Sequence, residues 1–249
     1  MRRLQRGRGG EQHTDGDFSL EVTIWYRRSP MHLMFLSMLL CLAGCAATAP
    51  AAYPYLTFLP PGYKADPAQT YPLIVYLHGA DPGFPRESII SDYVHARPAF
   101  PFIVVAPRSD GKWSGSRLDL VLAEVEQRYR IDPKRRYLTG LSMGARGAAN
   151  FGARNARHFA AVVLVAGAGD PATACELKRV PLWLIHNRHD QVVPLDVSQK
   201  YRNALDSCLG RARMTVNDAT PAGRWNHDAW TDAYTSNEIY QWLLQQQSK

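Results

Sequence analysis

After residue 54, apolar residues occur in two patterns, short continuous runs and a helical spacing, and these patterns predict the strands and helices of the chain. Several short runs are apolar throughout, which is typical of strands buried on both faces of a sheet. The predicted strands are residues 56–59, 72–77, 102–106, 136–139, 160–165, 180–185 and 213–216. Between Leu118 and Tyr129, apolar residues recur at i, i+3, i+4 and i+7, the spacing of a helix that packs against a core. Further helices are predicted at residues 143–152 and 194–209.

This alternation of strands and helices predicts an α/β fold, in which a mostly parallel sheet carries helices on both faces. A capping box formed by Thr235 and Glu238 predicts the start of the last helix. The connections are short, so no large cap domain is expected. The chain has 249 residues and no internal repeat, and residues 55–249 are therefore expected to form one domain with a substantial core.

The sequence of the N-terminal region indicates a targeting signal rather than part of the folded domain. Residues 1–30 are polar and rich in Gly and Arg, and we interpret them as a disordered or spurious extension, since Met31 offers an alternative start. Residues 31–44 contain about twelve apolar positions, preceded by two arginines. Such a segment is too short to cross a bilayer as a helix and fits the core of a signal peptide.

The signal segment ends in the sequence Leu-Ala-Gly-Cys at residues 42–45, which resembles a bacterial lipobox. The resemblance implies cleavage before Cys45 and lipidation of that cysteine, followed by a tether to residue 54. Several acyl chains on one residue would anchor the protein to a membrane. We therefore expect an exported lipoprotein of the cell envelope, periplasmic or associated with the outer membrane. The alternatives are a plain secretory signal cleaved nearby and a cytoplasmic start beyond this segment.

The four cysteines are consistent with export. Cys41 would leave with the signal peptide and Cys45 would carry lipid, so that Cys175 and Cys208 remain as an even pair in an oxidising compartment. We hypothesise a disulfide between them. Two separate buried thiols are the alternative.

Charge and composition exclude few classes of protein. Apolar residues make up 46% of the chain and charged residues 20%, as in ordinary globular proteins. Residues 45–249 carry 23 Lys and Arg against 18 Asp and Glu, scattered rather than arranged in a stripe. We interpret this as a solvated basic surface, although such a surface could also favour anionic membranes or polymers. No nucleic-acid-binding motif is present, and the oligomeric state cannot be inferred.

Residues 140–147 read Gly-Leu-Ser-Met-Gly-Ala-Arg-Gly and lie between a predicted strand and a predicted helix. A Gly-x-Ser-x-Gly motif in this setting predicts a nucleophile elbow. So sharp a turn holds the serine in a strained backbone conformation and directs its hydroxyl out of the fold. Gly140 and Gly144 lack the Cβ atoms that would collide where strand and helix pass closely. Ser142 is therefore predicted to be a catalytic nucleophile.

A serine nucleophile needs a base within hydrogen-bond reach, and the base needs a carboxylate that fixes its tautomer. Asp190 follows the strand that ends at residue 185 and is the candidate acid; the alternative role, capping the next helix, fits Asp196 better. Of the eight histidines, His227 lies beyond the last predicted strand and is the candidate base, the alternative being a solvated surface histidine. His186 and His189 flank Asp190 and are expected to be too close in sequence to be its partner.

The tetrahedral intermediate of acyl transfer also needs two amide donors. One is expected to be the amide of Met143, directly after the nucleophile. The other is expected in the loop after the strand at residues 72–77, where His78 and Gly79 precede Ala80 and glycine lets the chain turn toward the site.

Four ordered motifs together resemble the α/β-hydrolase superfamily. They are residues 71–79 (YPLIVYLHG), 131–144 (IDPKRRYLTGLSMG), 190–194 (DQVVP) and 227–230 (HDAW), within a similarity that covers about residues 55–247. The branch it resembles most contains phospholipase/carboxylesterase-like and polyhydroxybutyrate-depolymerase- or feruloyl-esterase-like proteins, some labelled predicted peptidases. The resemblance implies an α/β-hydrolase fold with Ser142 as nucleophile, Asp190 as acid and His227 as base. It likewise implies Met143 and Ala80 as oxyanion donors.

Three positions depart from the pattern of that family. Ala145 stands where a second glycine is common, Asn226 precedes the histidine where glycine is usual, and Asn187 replaces the glycine that often follows His186. None of the three changes removes a catalytic group.

The expected function is hydrolysis of carboxylic esters through an acyl-enzyme, with no metal or cofactor. Without a large cap, the site should favour small or surface-presented esters, and Trp113 and Trp230 are candidate pocket walls, although both could equally be core aromatics. A serine peptidase with the same triad is the second interpretation, because esters and amides share the tetrahedral intermediate. A lipid-anchored binding protein without catalysis is the third.

Overall fold

A computed structural model describes residues 20–21, 50–80, 97 and 99–248. The predicted signal peptide, Cys45 and the first part of the tether lie outside the described residues. Of residues 1–30, only Leu20–Glu21 are described, as a two-residue strand. Within the described part of the chain, no helix combines the length and the apolar character that crossing a membrane requires.

The described strands form one sheet that is parallel over most of its width. They are β1 (Leu20–Glu21), β2 (Tyr55–Phe58), β3 (Tyr71–Leu77), β4 (Ile103–Pro107), β5 (Ile131–Leu141), β6 (Ala161–Val165), β7 (Leu182–Asn187) and β8 (Ala212–Asn217). Their order is β1-β2-β4-β3-β5-β6-β7-β8. The pairs β1/β2 and β2/β4 are antiparallel and the other neighbours are parallel. The predicted mostly parallel sheet is thus confirmed.

Helices cover both faces of this sheet. The described helices are α1 (Gly115–Arg128), α2 (Met143–Arg154), α3 (Asp196–Ser207), α4 (Trp230–Thr235) and α5 (Asn237–Leu244), together with the 3₁₀ segments Ala156–His158 and Pro171–Leu177. Strand side chains alternate between the faces, as the pleat requires. Val75 therefore packs in the cluster beneath α1, α2 and α3, whereas its neighbour Tyr76 packs in the cluster beneath α4 and α5.

The last helix does not begin as the capping box predicted. Thr235 is the final residue of α4, and its hydroxyl donates to the carbonyl oxygen of Thr231 at 2.5 Å. The N-cap of α5 is Ser236, whose hydroxyl accepts from the amide of Glu238 at 3.1 Å. Thr and Ser can both cap a helix. Thr235 does not cap α5, because it belongs to the last turn of the short helix α4, which the sequence pattern did not predict.

Cys175 and Cys208 are joined by a disulfide, with their Cα atoms 5.8 Å apart. The bond links the 3₁₀ segment Pro171–Leu177 to the residue that caps the end of α3. It therefore ties together two segments that follow β6 and β7.

Parallel strands end at the same edge of a sheet, and their connecting loops meet there. Here the carboxyl ends of β3, β5, β6 and β7 lie at one edge of the sheet. The loops that follow β3, β5 and β7 contain predicted site residues, and the loop that follows β6 lies between two of them. The fold thus brings together Gly79 and Ala80, Ser142, Asp190 and, after β8, His227.

Candidate active site

Ser142 is the single residue between β5 and α2, and it lies in a strained turn. Its backbone has φ 53° and ψ −117°, a conformation that L-residues rarely adopt. Its amide donates to the carbonyl oxygen of Val165 at 2.9 Å, which fixes the turn to the end of β6. The side chain consequently projects beyond the sheet edge instead of continuing the strand.

The glycines on either side of Ser142 are required by close packing. A Cβ atom on Gly140 would lie 2.3 Å from the carbonyl oxygen of Gly144, and one on Gly144 would lie 1.9 Å from the carbonyl oxygen of Leu77. Both distances are far below van der Waals contact with backbone that cannot move independently. The Gly-x-Ser-x-Gly spacing therefore lets α2 start directly against β3 and β5.

Ser142, His227 and Asp190 form a continuous chain of hydrogen bonds. The Nε2 atom of His227 lies 2.9 Å from Ser142 Oγ, and its Nδ1 atom lies 2.6 Å from Asp190 Oδ2. Because the carboxylate can only accept, Nδ1 carries the proton and Nε2 is free to accept one from the serine. This is the tautomer that a general base needs.

Asp190 is buried and held as an anion by four donors. Burial opposes its ionisation, but hydrogen bonds from His186 and His227 and from the amides of Val193 and Val192 outweigh that cost and hold its pKa well below the usual range. The two amides donate to Oδ1 at 2.9 Å each, and the two imidazoles lie within 3.2 Å of Oδ2. The carboxylate is therefore both charged and fixed in direction.

His186 is a second partner of Asp190, contrary to the expectation that it lies too close in sequence. Its Nε2 atom lies 2.8 Å from the carbonyl oxygen of Val193 and 3.2 Å from Asp190 Oδ2, two acceptors that place a proton on this nitrogen. Its Nδ1 atom lies 2.8 Å from the hydroxyl of Ser198 in α3. The loop after β7 turns back on itself, and four residues of separation suffice for the contact.

Asn187 joins the loop of the acid to the loop of the base. Its side-chain Nδ2 donates to the backbone carbonyl oxygen of Asn226 at 2.9 Å, and its side-chain Oδ1 accepts from Nδ2 of Asn217 at 2.9 Å. In the sequence, Asn187 and Asn226 stand out only as departures from a family pattern. Their bond holds His227 against Asp190, because Asn226 directly precedes the histidine.

Of the two residues expected to supply oxyanion donors, Met143 directly follows Ser142, and Ala80 follows a glycine that lies close to Ser142. Met143 is the first residue of α2, where amides have no acceptor within the helix and the helix dipole favours negative charge. On the other side, a Cβ atom on Gly79 would lie 3.5 Å from Ser142 Cβ, and Ala80 follows directly. The chain before Ala80 therefore runs past the nucleophile.

This segment is braced by the buried imidazole of His78. The amide of Ser109 donates to His78 Nε2 at 3.0 Å, which leaves the proton on Nδ1 to donate to the carbonyl oxygen of Gly79 at 2.7 Å. The indole nitrogen of Trp113 donates to the carbonyl oxygen of His78 at 3.2 Å. Trp113 thus contacts the chain that carries the Ala80 amide.

The second candidate wall, Trp230, packs against the base. Its ring centroid lies 5.2 Å from that of His227 in an edge-to-face arrangement, and the residue is buried. The ring centroid of the half-exposed Trp225 lies 5.0 Å from that of the same imidazole. Two indoles therefore restrict how the ring of His227 can turn.

An open cavity of about 710 Å³ borders Ser142. It is lined by Ser142 and the first turns of α2, by residues 167–171 after β6, and by two valines near the acid. Neither Trp113 nor Trp230 is among the described lining residues. In the same part of the chain, no group of three or more His, Cys, Asp and Glu is arranged to hold a metal ion.

Similarity to a known protein family extends over most of the chain. The model of the Esterase family, described as "Putative esterase", matches residues 49–240, which is 192 of the 249 residues. The chain belongs to this esterase family. A comparison with curated proteins gave no match.

Several solved structures are similar to the structure of this protein. A thermostable esterase is 26% identical with a TM-score of 0.66 over 78% of this chain, and the chain spans only 59% of that protein. A ferulic acid esterase is 19% identical with a TM-score of 0.60, covering 77% of this chain and 91% of its own. An acylaminoacyl peptidase from Pyrococcus horikoshii is 15% identical with a TM-score of 0.58, covering 78% and 39% respectively. These likenesses confirm the predicted α/β-hydrolase fold.

Proposed function

We propose that the protein hydrolyses carboxylic esters through an acyl-enzyme on Ser142, with His227 as general base and Asp190 as its orienting acid. The observation that carries the proposal is the unbroken chain of hydrogen bonds from Ser142 Oγ through His227 to Asp190, located at a strained elbow. Membership of the esterase family supports the same reaction class.

In the first half-reaction, Ser142 Oγ forms a bond to the ester carbonyl carbon while His227 Nε2 takes the hydroxyl proton. The carbonyl oxygen becomes negative and is met by the amides of Met143 and Ala80, each such donor typically contributing a factor of about 10²–10³ in rate. The bond to the alcohol oxygen then breaks, and that oxygen takes the proton from His227.

The second half-reaction returns the enzyme to its starting state. His227 accepts a proton from water, whose oxygen attacks the acyl carbon. The bond to Ser142 Oγ breaks, the acid leaves and the proton returns to the serine. Asp190 stays ionised throughout and stabilises the imidazolium, in keeping with its lowered pKa.

Labelling with a fluorophosphonate tests the nucleophile. We expect wild-type protein to be labelled and Ser142→Ala not to be. Ser198→Ala is the matched control, because Ser198 also lies within hydrogen-bond distance of a histidine, and it should label like wild type. Labelling that survives Ser142→Ala would overturn the assignment.

A substrate panel tests the ester bond. Aryl, short-acyl and feruloyl esters should be hydrolysed faster than acylated amino-acid amides and peptides of matched acyl groups. The open cavity supports small or surface-presented esters rather than long lipids. Turnover of peptides without turnover of esters would instead establish a serine peptidase with the same triad.

We also propose that this reaction takes place at the cell envelope, with the protein held by lipid on Cys45. The support is the lipobox-like sequence at residues 42–45. Metabolic labelling with an alkyne fatty acid should mark the wild-type protein and not Cys45→Ser, and only the wild type should sediment with membranes. Membrane sedimentation of both would contradict the anchor.

A further inference from the structure

The cavity beside Ser142 contains one positive and one negative side chain. Arg146 projects from α2 one turn beyond the nucleophile, since its amide donates to the carbonyl oxygen of Ser142 at 3.2 Å. Asp170 also lines the cavity, in the segment after β6. Asn150, one turn further along α2, is the remaining polar side chain apart from Ser142 itself among the described lining residues.

The carboxylate of Asp170 is committed to the fold. It is the N-cap of the 3₁₀ segment Pro171–Leu177, and its Oδ1 atom accepts from the amide of Ala172 at 2.9 Å. Its backbone carbonyl accepts in addition from the hydroxyl and the amide of Thr173 at 2.9 Å. A carboxylate at such a position already faces the positive end of a short helical turn.

Arg146 is not committed in this way. Eight other arginines among the described residues each have a carboxylate within 4.0 Å. Within that part of the chain, Arg146 has neither a salt bridge nor a side-chain hydrogen bond to any residue, and its side chain is exposed in the cavity. A guanidinium is suited to bidentate binding of a carboxylate or phosphate.

The position of the cavity indicates which half of an ester would enter it. The leaving alcohol must come within reach of His227, which protonates it. His227 is not among the described residues that line the cavity, whereas Ser142 and Met143 are. The cavity therefore lies on the side of the acyl group.

We propose that Arg146 binds an anion on the acyl part of the substrate, so that the preferred substrates are esters of dicarboxylic or other anionic acids. The inference rests on the proposed ester hydrolysis and specifies its substrate class. Arg146 lies one helical turn from the nucleophile, a rise of about 5 Å, so a linker of a few carbons would separate the anion from the scissile carbonyl.

Alkyl hemiesters test this preference directly. Monoethyl succinate, glutarate and adipate are compared with neutral ethyl esters of the same acyl length and with ethyl 4-(trimethylammonio)butyrate, by titration of the released acid. For wild type, kcat/KM should be about tenfold or more higher for the best hemiester than for its neutral partner, as expected for a charge-assisted hydrogen bond. The preference should weaken as salt is raised, because the pair is partly exposed.

Variants of the arginine separate its role from general effects of charge. Arg146→Gln should remove the preference for hemiesters while leaving kcat/KM for neutral esters within about threefold of wild type. Arg146→Lys should retain part of the preference, and Arg146→Glu should shift it toward the cationic ester. Arg157→Gln is the matched control: it removes the same charge from an exposed arginine outside the cavity and should leave the preference intact.

The outcomes distinguish this inference from the function on which it rests. Equal loss on charged and neutral esters in Arg146→Gln, or a wild-type preference for the cationic ester, would overturn the role of Arg146 while ester hydrolysis stands. A preference for 3-acetoxypropionate over ethyl acetate would move the anion to the alcohol side and also overturn it. Absence of any Ser142-dependent hydrolysis would overturn the proposed function itself.

Discussion

Asp190 lies between two histidines, and each histidine contacts a serine. We call Ser142 and His227, the proposed nucleophile and base, the catalytic arm, and His186 and Ser198 the buried arm. The nitrogen-to-oxygen distances are similar, 2.9 Å in the catalytic arm and 2.8 Å in the buried arm. By side-chain identity and distance alone, either serine would pass for a nucleophile activated by a histidine and an aspartate.

The surroundings of the two serines differ. Ser142 sits at φ 53° before the free amides of α2 and borders the open cavity. Ser198 lies within α3, has no exposed surface, and is also within 3.4 Å of the carbonyl oxygen of Gly167. A nucleophile therefore requires access and oxyanion donors in addition to a base. The buried arm instead contacts Asp190 at one end and Gly167, in the wall of the cavity, at the other.

The largest effect is expected where the arms meet. Asp190→Asn should lower kcat for a short-acyl ester by about 10⁴-fold, because an amide facing His227 favours the wrong imidazole tautomer. Steady-state kinetics measure this change, and Asp196→Asn is the matched control on an exposed aspartate of α3. A loss of less than tenfold in Asp190→Asn would mean that the catalytic arm does not depend on the acid.

A smaller effect is expected from the middle of the buried arm. His186→Gln should lower kcat by about 10- to 100-fold with little change in KM, because a small displacement of Asp190 misaligns the base without altering the cavity. The matched control is His189→Gln, since His189 is exposed in the same loop. The pH–rate profile should change with His186→Gln as well, which a purely structural loss of folded protein would not produce. Activity equal to that of the control would limit the buried arm to stability.

Sequence patterns predicted the catalytic arm and missed the buried one. Ser142 is identified by a local motif with a steric cause, and Asp190 and His227 by their order after successive strands. No local pattern marks Ser198, because its contact with His186 depends on how α3 packs against β7. The bond between Asn187 and Asn226 likewise spans 39 residues. Most predicted strands lie within two residues of the observed ones, because buried parallel strands are apolar throughout. The exceptions are β5, which begins five residues before the predicted strand in a polar stretch, and the two-residue β1, which was not predicted. The start of α5 depended on which of two adjacent hydroxyl residues caps it.

The acid dependence of stability tests how both arms hold the carboxylate. The pKa of Asp190 is held well below its usual range in the folded protein. Its contribution to the free energy of unfolding is therefore present above the pKa of the unfolded chain, about 3.9, and is lost as pH falls below it. The free energy of unfolding, measured with urea, should therefore fall more steeply for wild type than for Asp190→Asn as the pH is lowered below about 4. His186→Gln should lie between them, since one of the two imidazole donors is then gone. Parallel curves for all three would show that neither arm holds the charge.

The smallest effect is expected at the far end of the buried arm. Ser198→Ala removes a hydroxyl that His186 Nδ1 contacts at 2.8 Å and leaves that nitrogen to re-pair or stay unsatisfied. The free energy of unfolding should fall by about 1 kcal/mol, while kcat stays within about threefold of wild type, because Asp190 keeps its other donors. Urea denaturation and ester kinetics on the same preparation measure both quantities. A loss of activity as large as that of Ser142→Ala would mean that the two serines are functionally equivalent, and the distinction between the arms would then be wrong.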